Sequence, residues 1–216
     1  MKTLTLLLLL FPCIVSAQAT TEDYAIYSQY LKTIQDSCKT GKVCFVANET
    51  TAYSQKFNLA GIDNIVRELR AFLKGDKNNM SYIYLTFKDF SRTMITDTLW
   101  VALLADLDKR MGQGFKIENH FSPDLQTAII DTTIYNKYFS HFSAAGRIER
   151  NWIRFHKKYG TLSLLIELSP IVSDGQRAVF YFSKRCGGLC GEGDLLFFGK
   201  ENNEWALLQR ASLWYN

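Results

Sequence analysis

Apolar residues recur at helical spacing through roughly the first three-quarters of the chain, then alternate with polar ones to its end. Tyr24, Tyr27, Leu31 and Ile34 predict an amphipathic helix over 21–37. Thr20 and Asp23 stand at capping-box positions before it, and Gly41 is a stop. Ile62, Ile65, Val66, Leu69, Phe72 and Leu73 line one face of a second helix over 61–74, ended by Gly75. Leu99, Trp100, Leu103, Leu104 and Leu107 do the same over 98–110, behind a cap at Asp97 or Thr98. Ile148, Trp152, Phe155 and Tyr159 predict the last helix, 144–159, with Gly160 after it.

Strands are expected at 42–48 and 128–131, while 81–90 fits either state. From residue 161 the period becomes two. Strands are predicted at 161–168, 176–183, 194–200 and 205–213, the last two flanking the turn 201–204 as an antiparallel hairpin. Helices followed by a run of strands describe an α+β fold, with the helices packed on a C-terminal antiparallel β-meander. No repeat, low-complexity tract or linker divides residues 20–216, which read as a single domain.

The start of the chain changes the picture. Lys2, the apolar run from Leu4 to Pro12 and small residues at Ala17 and Ala19 form a secretory signal peptide over 1–19, too short to span a membrane as a helix. A soluble product in the periplasm or outside the cell is the expectation. Composition is 47% hydrophobic and 14% aromatic, which argues against disorder. The net charge of +4, without a Lys/Arg cluster, argues against nucleic acid or an anionic membrane as partner. Asn48-Glu49-Thr50 is a formal glycosylation sequon, relevant only in a eukaryotic secretory route.

Beyond the leader stand Cys38, Cys44, Cys186 and Cys190. An even number in an exported chain points to disulfides, and four cysteines allow three pairings, of which the local 38–44 and 186–190 are the simplest. The densest chemistry is Arg185-Cys186-Gly187-Gly188-Leu189-Cys190-Gly191-Glu192-Gly193. Its plainest reading is a disulfide-pinned turn between strands, with the four glycines supplying positive φ. A catalytic dithiol calls for Cys-x-x-Cys at a helix start, and here the spacing is longer and the flanks are strands. A metal site needs further ligands, and His120, His141 and His156 stand singly. An anion-binding nest lacks a following helix, and Glu192 would repel its ligand.

Other catalytic patterns are missing. There is no Gly-x-Ser-x-Gly, and Glu149 and Glu167 are single carboxylates whose pairing sequence does not reveal. No residue set calls for a cofactor or metal. The candidate functional surface is the neighbourhood of the Cys-Gly loop: Arg185 and Glu192 within it, with Trp152 and His156 on the preceding helix. A non-catalytic binding module for an unidentified protein or small ligand fits these features. The competing reading is an extracytoplasmic enzyme, hydrolytic or thiol-redox, centred on Cys186 and Cys190.

Over about residues 150–216, Trp152-x-x-Phe155-x-Lys157-Lys158-Tyr159, Leu168-Ser169, Ala178-Val179-Phe180-Tyr181, Cys186-Gly187-x-Leu189-Cys190-Gly191-x-Gly193, Lys200 and Trp205 resemble a family of exported bacterial proteins without assigned activity. This chain departs from the family pattern with Asn203-Glu204-Trp205 in place of Gly-x-Trp, and with Gly160 where proline is common. Cys38 and Cys44 lie outside the resembling region, which implies pairing within each local pair. The resemblance implies an extracytoplasmic bacterial protein and brings no enzyme with it.

Overall fold

A computed structural model describes residues 17–37, 44–47, 97–111, 115–139, 145–160 and 163–215. Residues 1–16 of the signal peptide expected over 1–19, the helix expected over 61–74, the segment 81–90, the sequon at Asn48 and Cys38 lie outside the described residues. The elements in order are β1 (Ala17–Gln18), α1 (Thr21–Ser37), β2 (Cys44–Ala47), α2 (Thr98–Met111), β3 (Phe115–Lys116), β4 (Thr127–Ile130), α3 (Thr132–Phe139), α4 (Ala145–Tyr159), β5 (Leu164–Leu168), β6 (Val172–Ser173), β7 (Arg177–Gly187), β8 (Cys190–Glu201) and β9 (Glu204–Tyr215).

The helices start where short polar side chains can hold free backbone amides. Thr20 N donates to Asp23 Oδ2 at 2.7 Å and Asp23 N to Thr20 Oγ1 at 3.2 Å, the reciprocal pair of a capping box. Asp97 caps α2 by accepting from Leu99 N, and Asp131 caps α3 by accepting from Ile134 N. Gly160, at φ +104°, ends α4. The β8–β9 hairpin turns through Asn202 and Asn203, at φ 50° and 69°, where asparagine is tolerated.

The fold is α+β, but helices and strands are interleaved rather than segregated: β2, β3 and β4 fall between α1 and α3. The main sheet runs β4-β2-β5-β7-β8-β9, with β6 also on β7. β4 and β5 both pair parallel to β2, while β5 through β9 are antiparallel. The expected antiparallel meander is therefore the C-terminal part of a mixed sheet. A four-residue strand with no polar alternation, Cys44-Phe45-Val46-Ala47, suits a position covered on both faces.

Each face carries helices. On one, Tyr27, Leu31 and Ile34 of α1 pack with Val46, Leu164, Ile166, Phe180, Phe182, Leu196 and Phe198. On the other, Trp100, Leu104 and Leu107 of α2 cover Val179, Tyr181, Leu195 and Phe197. Beside them, Phe139, Trp152 and Phe155 of α3 and α4 cover Phe45, Ala47, Ile130 and Leu165. Among the described residues the second face thus has two apolar clusters with a seam between them, and the seam falls at the β5–β7 ladder.

Candidate functional site

Along β5 the side chains alternate. Leu164, Ile166 and Leu168 turn toward α1, leaving Leu165 and Glu167 on the opposite face. Glu167 has no solvent exposure. A carboxylate there is tolerable only if its oxygens are bonded. Tyr135 of α3 donates to Oε1 at 2.8 Å, and Ser183, its register partner on β7, donates to Oε2 at 2.6 Å. Arg185, two residues further along the same face, brings Nε to 4.0 Å from Oε2. Burial, and then the charge of Glu167, push the Tyr135 phenol well above its ordinary pKa, so it stays a donor; the Tyr181 phenol is raised in the same way.

Arg185 continues the network outward. Its guanidinium lies 5.4 Å from the centre of the Trp214 ring, and Trp214 Nε1 donates to the Tyr181 hydroxyl at 2.9 Å. Gly193 stands opposite Trp214 across β8 and β9, and any Cβ there would overlap the indole. Gly191 has Lys184 O and the side chains of Arg185 and Trp214 closely around it. These two glycines make room for neighbours. None of the glycines at 187, 188, 191 and 193 has the expected positive φ; Gly160 and Gly175 do. The reason is extension of the ladder: β7 runs to Gly187 and β8 starts at Cys190, so the stretch is nearly all strand, with a turn at Gly188–Leu189.

Cys186 and Cys190 form a disulfide across that turn, with Cα atoms 5.2 Å apart. Cys186 packs against the α1-side core and Cys190 is exposed. Cys44 is buried on β2, where its sulfur accepts from Gln35 Nε2 at 3.6 Å; the 38–44 pairing, like Cys38, lies outside the described residues. Leu189 at the turn is 87% exposed, and Tyr215, partner of Glu192 on β9, is 83% exposed.

The opposite face of the hairpin, at its turn end, carries a second charged ladder. Lys184 pairs with Glu192 at 2.8 Å, Glu192 with Arg210 at 2.8 Å, and Arg210 with Asp194 at 2.9 Å, while Ser212 donates to the other Asp194 oxygen at 2.7 Å. Burial pushes the Asp194 carboxyl above its ordinary pKa despite Ser212 and Arg210. Burial pushes Glu192 up as well, but its bonds from Lys184 and Arg210 outweigh that and leave it lowered.

Of the residues singled out by sequence, Arg185 and Glu192 both lie at the turn end of the hairpin, on opposite faces. Trp152 and His156 belong elsewhere: Trp152 is buried against Phe139 and Phe155, and the His156 ring packs on Trp152 at 5.3 Å. Their cluster includes Leu165, the register partner of Arg185. Glu149 is exposed on α4 while Glu167 is buried, so the two form no dyad. Tyr135, Ser183, Tyr181 and Trp214 carried no functional mark in the sequence, and Glu167 stood there only as a single carboxylate. The available signal was one charge inside Leu164-Leu165-Ile166-Glu167-Leu168.

Among the described residues no group of three or more His, Cys, Asp or Glu side chains is arranged to hold a metal. A shallow hollow of about 660 Å³ lies beside α1, lined by Ala19, Tyr24, Ala25, Ser28, His120 and Ser122. Two of its polar side chains hold the 118–122 loop: Glu118 N donates to Tyr24 OH and Ser122 N to Ser28 Oγ. No described helix is long and apolar enough to cross a membrane. No family model, curated protein or solved structure matches the chain.

Proposed function

We propose that the chain is an exported, non-catalytic binding module whose contact surface is the disulfide-pinned β7–β8 hairpin and the adjoining end of β9. The observation that carries this reading is Leu189, 87% exposed at the tip of a turn closed by Cys186–Cys190. Tyr215 is exposed at the same end of the sheet. Export rests on the apolar leader with Ala17 and Ala19, and is in keeping with the disulfide and the resemblance described above.

A folded protein partner suits this end better than a lipid surface. Burying one leucine contributes about 2 kcal/mol, well short of lasting membrane attachment, for which even a whole acyl chain is marginal. A rigid apolar knob loses little freedom on docking into a pocket, so its burial is realised as affinity. The nearby charges on Lys184, Glu192, Arg210, Asp194, Glu167 and Arg185 are arranged to neutralise one another.

A photo-crosslinking amino acid at position 189, in cells making the full chain, tests the reading. It should yield a discrete adduct with an extracytoplasmic protein. The same group at Asn203, in the turn at the far end of the sheet, should not. Equal labelling from both positions would sink the proposal.

A further inference from the structure

The β7–β8 ladder is regular from Arg177↔Gly199 to Arg185↔Gly191 and shifts register before Gly187↔Cys190. Cys186 stands at that irregularity. Its disulfide therefore clamps both strands beside one position: Cys186 follows Arg185 on β7, and Cys190 precedes Gly191, the cross-strand partner of Arg185. Arg185 in turn links the buried Glu167 to Trp214, and Trp214 precedes the exposed Tyr215. Cys190 is exposed, so a thiolate can reach its sulfur.

We propose that the Cys186–Cys190 disulfide is a redox latch, which holds Arg185 between Glu167 and Trp214 when closed and releases it when a dithiol reductant opens it. In the opening step a thiolate of the reductant attacks Cys190 Sγ and Cys186 leaves as a thiolate that takes up a proton. The reductant's second thiol then displaces Cys190, so this chain gains two thiols and the reductant becomes a disulfide. Once the clamp is gone, the turn through Gly187 and Gly188 regains backbone freedom and the register that aims Arg185 is no longer enforced. Leu189 and Tyr215 then lose their fixed spacing. That last consequence rests on the binding reading above; the latch does not.

The test follows Trp emission and far-UV circular dichroism of the full chain while dithiothreitol opens the bond. The latch predicts an emission change that tracks disulfide loss at constant circular dichroism. The change should be absent in Trp214→Phe, and oxidised Arg185→Gln should already show the opened-state emission. Emission unmoved by complete reduction would overturn the latch and leave a brace. So would loss of circular dichroism in step with reduction, which would make the bond a staple for the whole fold. Crosslinking from position 189 separates the two claims. Adducts lost on reduction support redox control of binding, and adducts unchanged by it overturn that control. Absence of adducts in both states overturns the binding reading, with the fluorescence still deciding the latch.

Discussion

Ser183 donates its hydroxyl to Glu167 across the β5–β7 ladder at 2.6 Å, at the seam between the two apolar clusters of one sheet face. Tyr135 completes the carboxylate from α3, which ties that helix to the central strands. Removing either donor leaves a buried charge short of one bond. Tyr135→Phe and Ser183→Ala should each lower stability by about 1.5–3 kcal/mol in urea unfolding. Because both act on one carboxylate, the double variant should depart from additivity by at least about 0.5 kcal/mol.

Gly193→Ala should cost about 1–3 kcal/mol, since the Trp214 indole occupies the space of the added methyl. In a Trp214→Ala background the cost should shrink without vanishing, because the indole clash has gone while the Tyr181 hydroxyl still lies 2.7 Å from the added methyl. Denaturant midpoints of the four proteins measure the difference.

Acid sensitivity separates the two carboxylates of the outer ladder. The folded pKa of Glu192 lies below its ordinary 4.5, so its contribution is present above that value and is lost as pH falls through the folded pKa. The folded pKa of Asp194 lies above its ordinary 3.8, so its contribution has the opposite sign: it is full below 3.8 and lost as pH rises through the folded pKa. Melting temperatures followed downward from pH 6 should therefore fall less steeply for Glu192→Gln than for the natural chain, and more steeply for Asp194→Asn.

Much of this architecture was legible in the chain. α1, α2 and α4 follow from apolar spacing and from the caps at Thr20 and Asp97, and the β8–β9 hairpin from alternation around Asn202-Asn203. α3 was not anticipated, since Thr132-Thr133-Ile134-Tyr135 is β-branched and aromatic, and the helix depends on the Asp131 cap and on packing against α4. The place of β2 between β4 and β5 was hidden as well, because parallel pairing joins residues some 80 to 120 positions apart and leaves no local pattern. Of the site, the Cys-Gly stretch and Arg185 stood out by residue type. The Glu167 hub did not, because its donors come from a helix and a strand that only the tertiary fold brings together.

Replacing both Cys186 and Cys190 by serine removes a very short loop closure. The expected loss is about 2 kcal/mol for a ring of this size, small enough for the fold to survive. The variant should unfold at a lower urea concentration and be indifferent to reductant, whereas the natural chain should move toward it when reduced.

The most direct test of the pinned-hairpin account is alkylation of the native protein, recovered from the cells that make it without added reductant, followed by peptide mass spectrometry. The account predicts that Cys186 and Cys190 escape alkylation and appear in one peptide lighter by two hydrogens. Both cysteines alkylated in the folded protein would contradict it, and would return the Cys186–Cys190 loop to the thiol-redox enzyme reading.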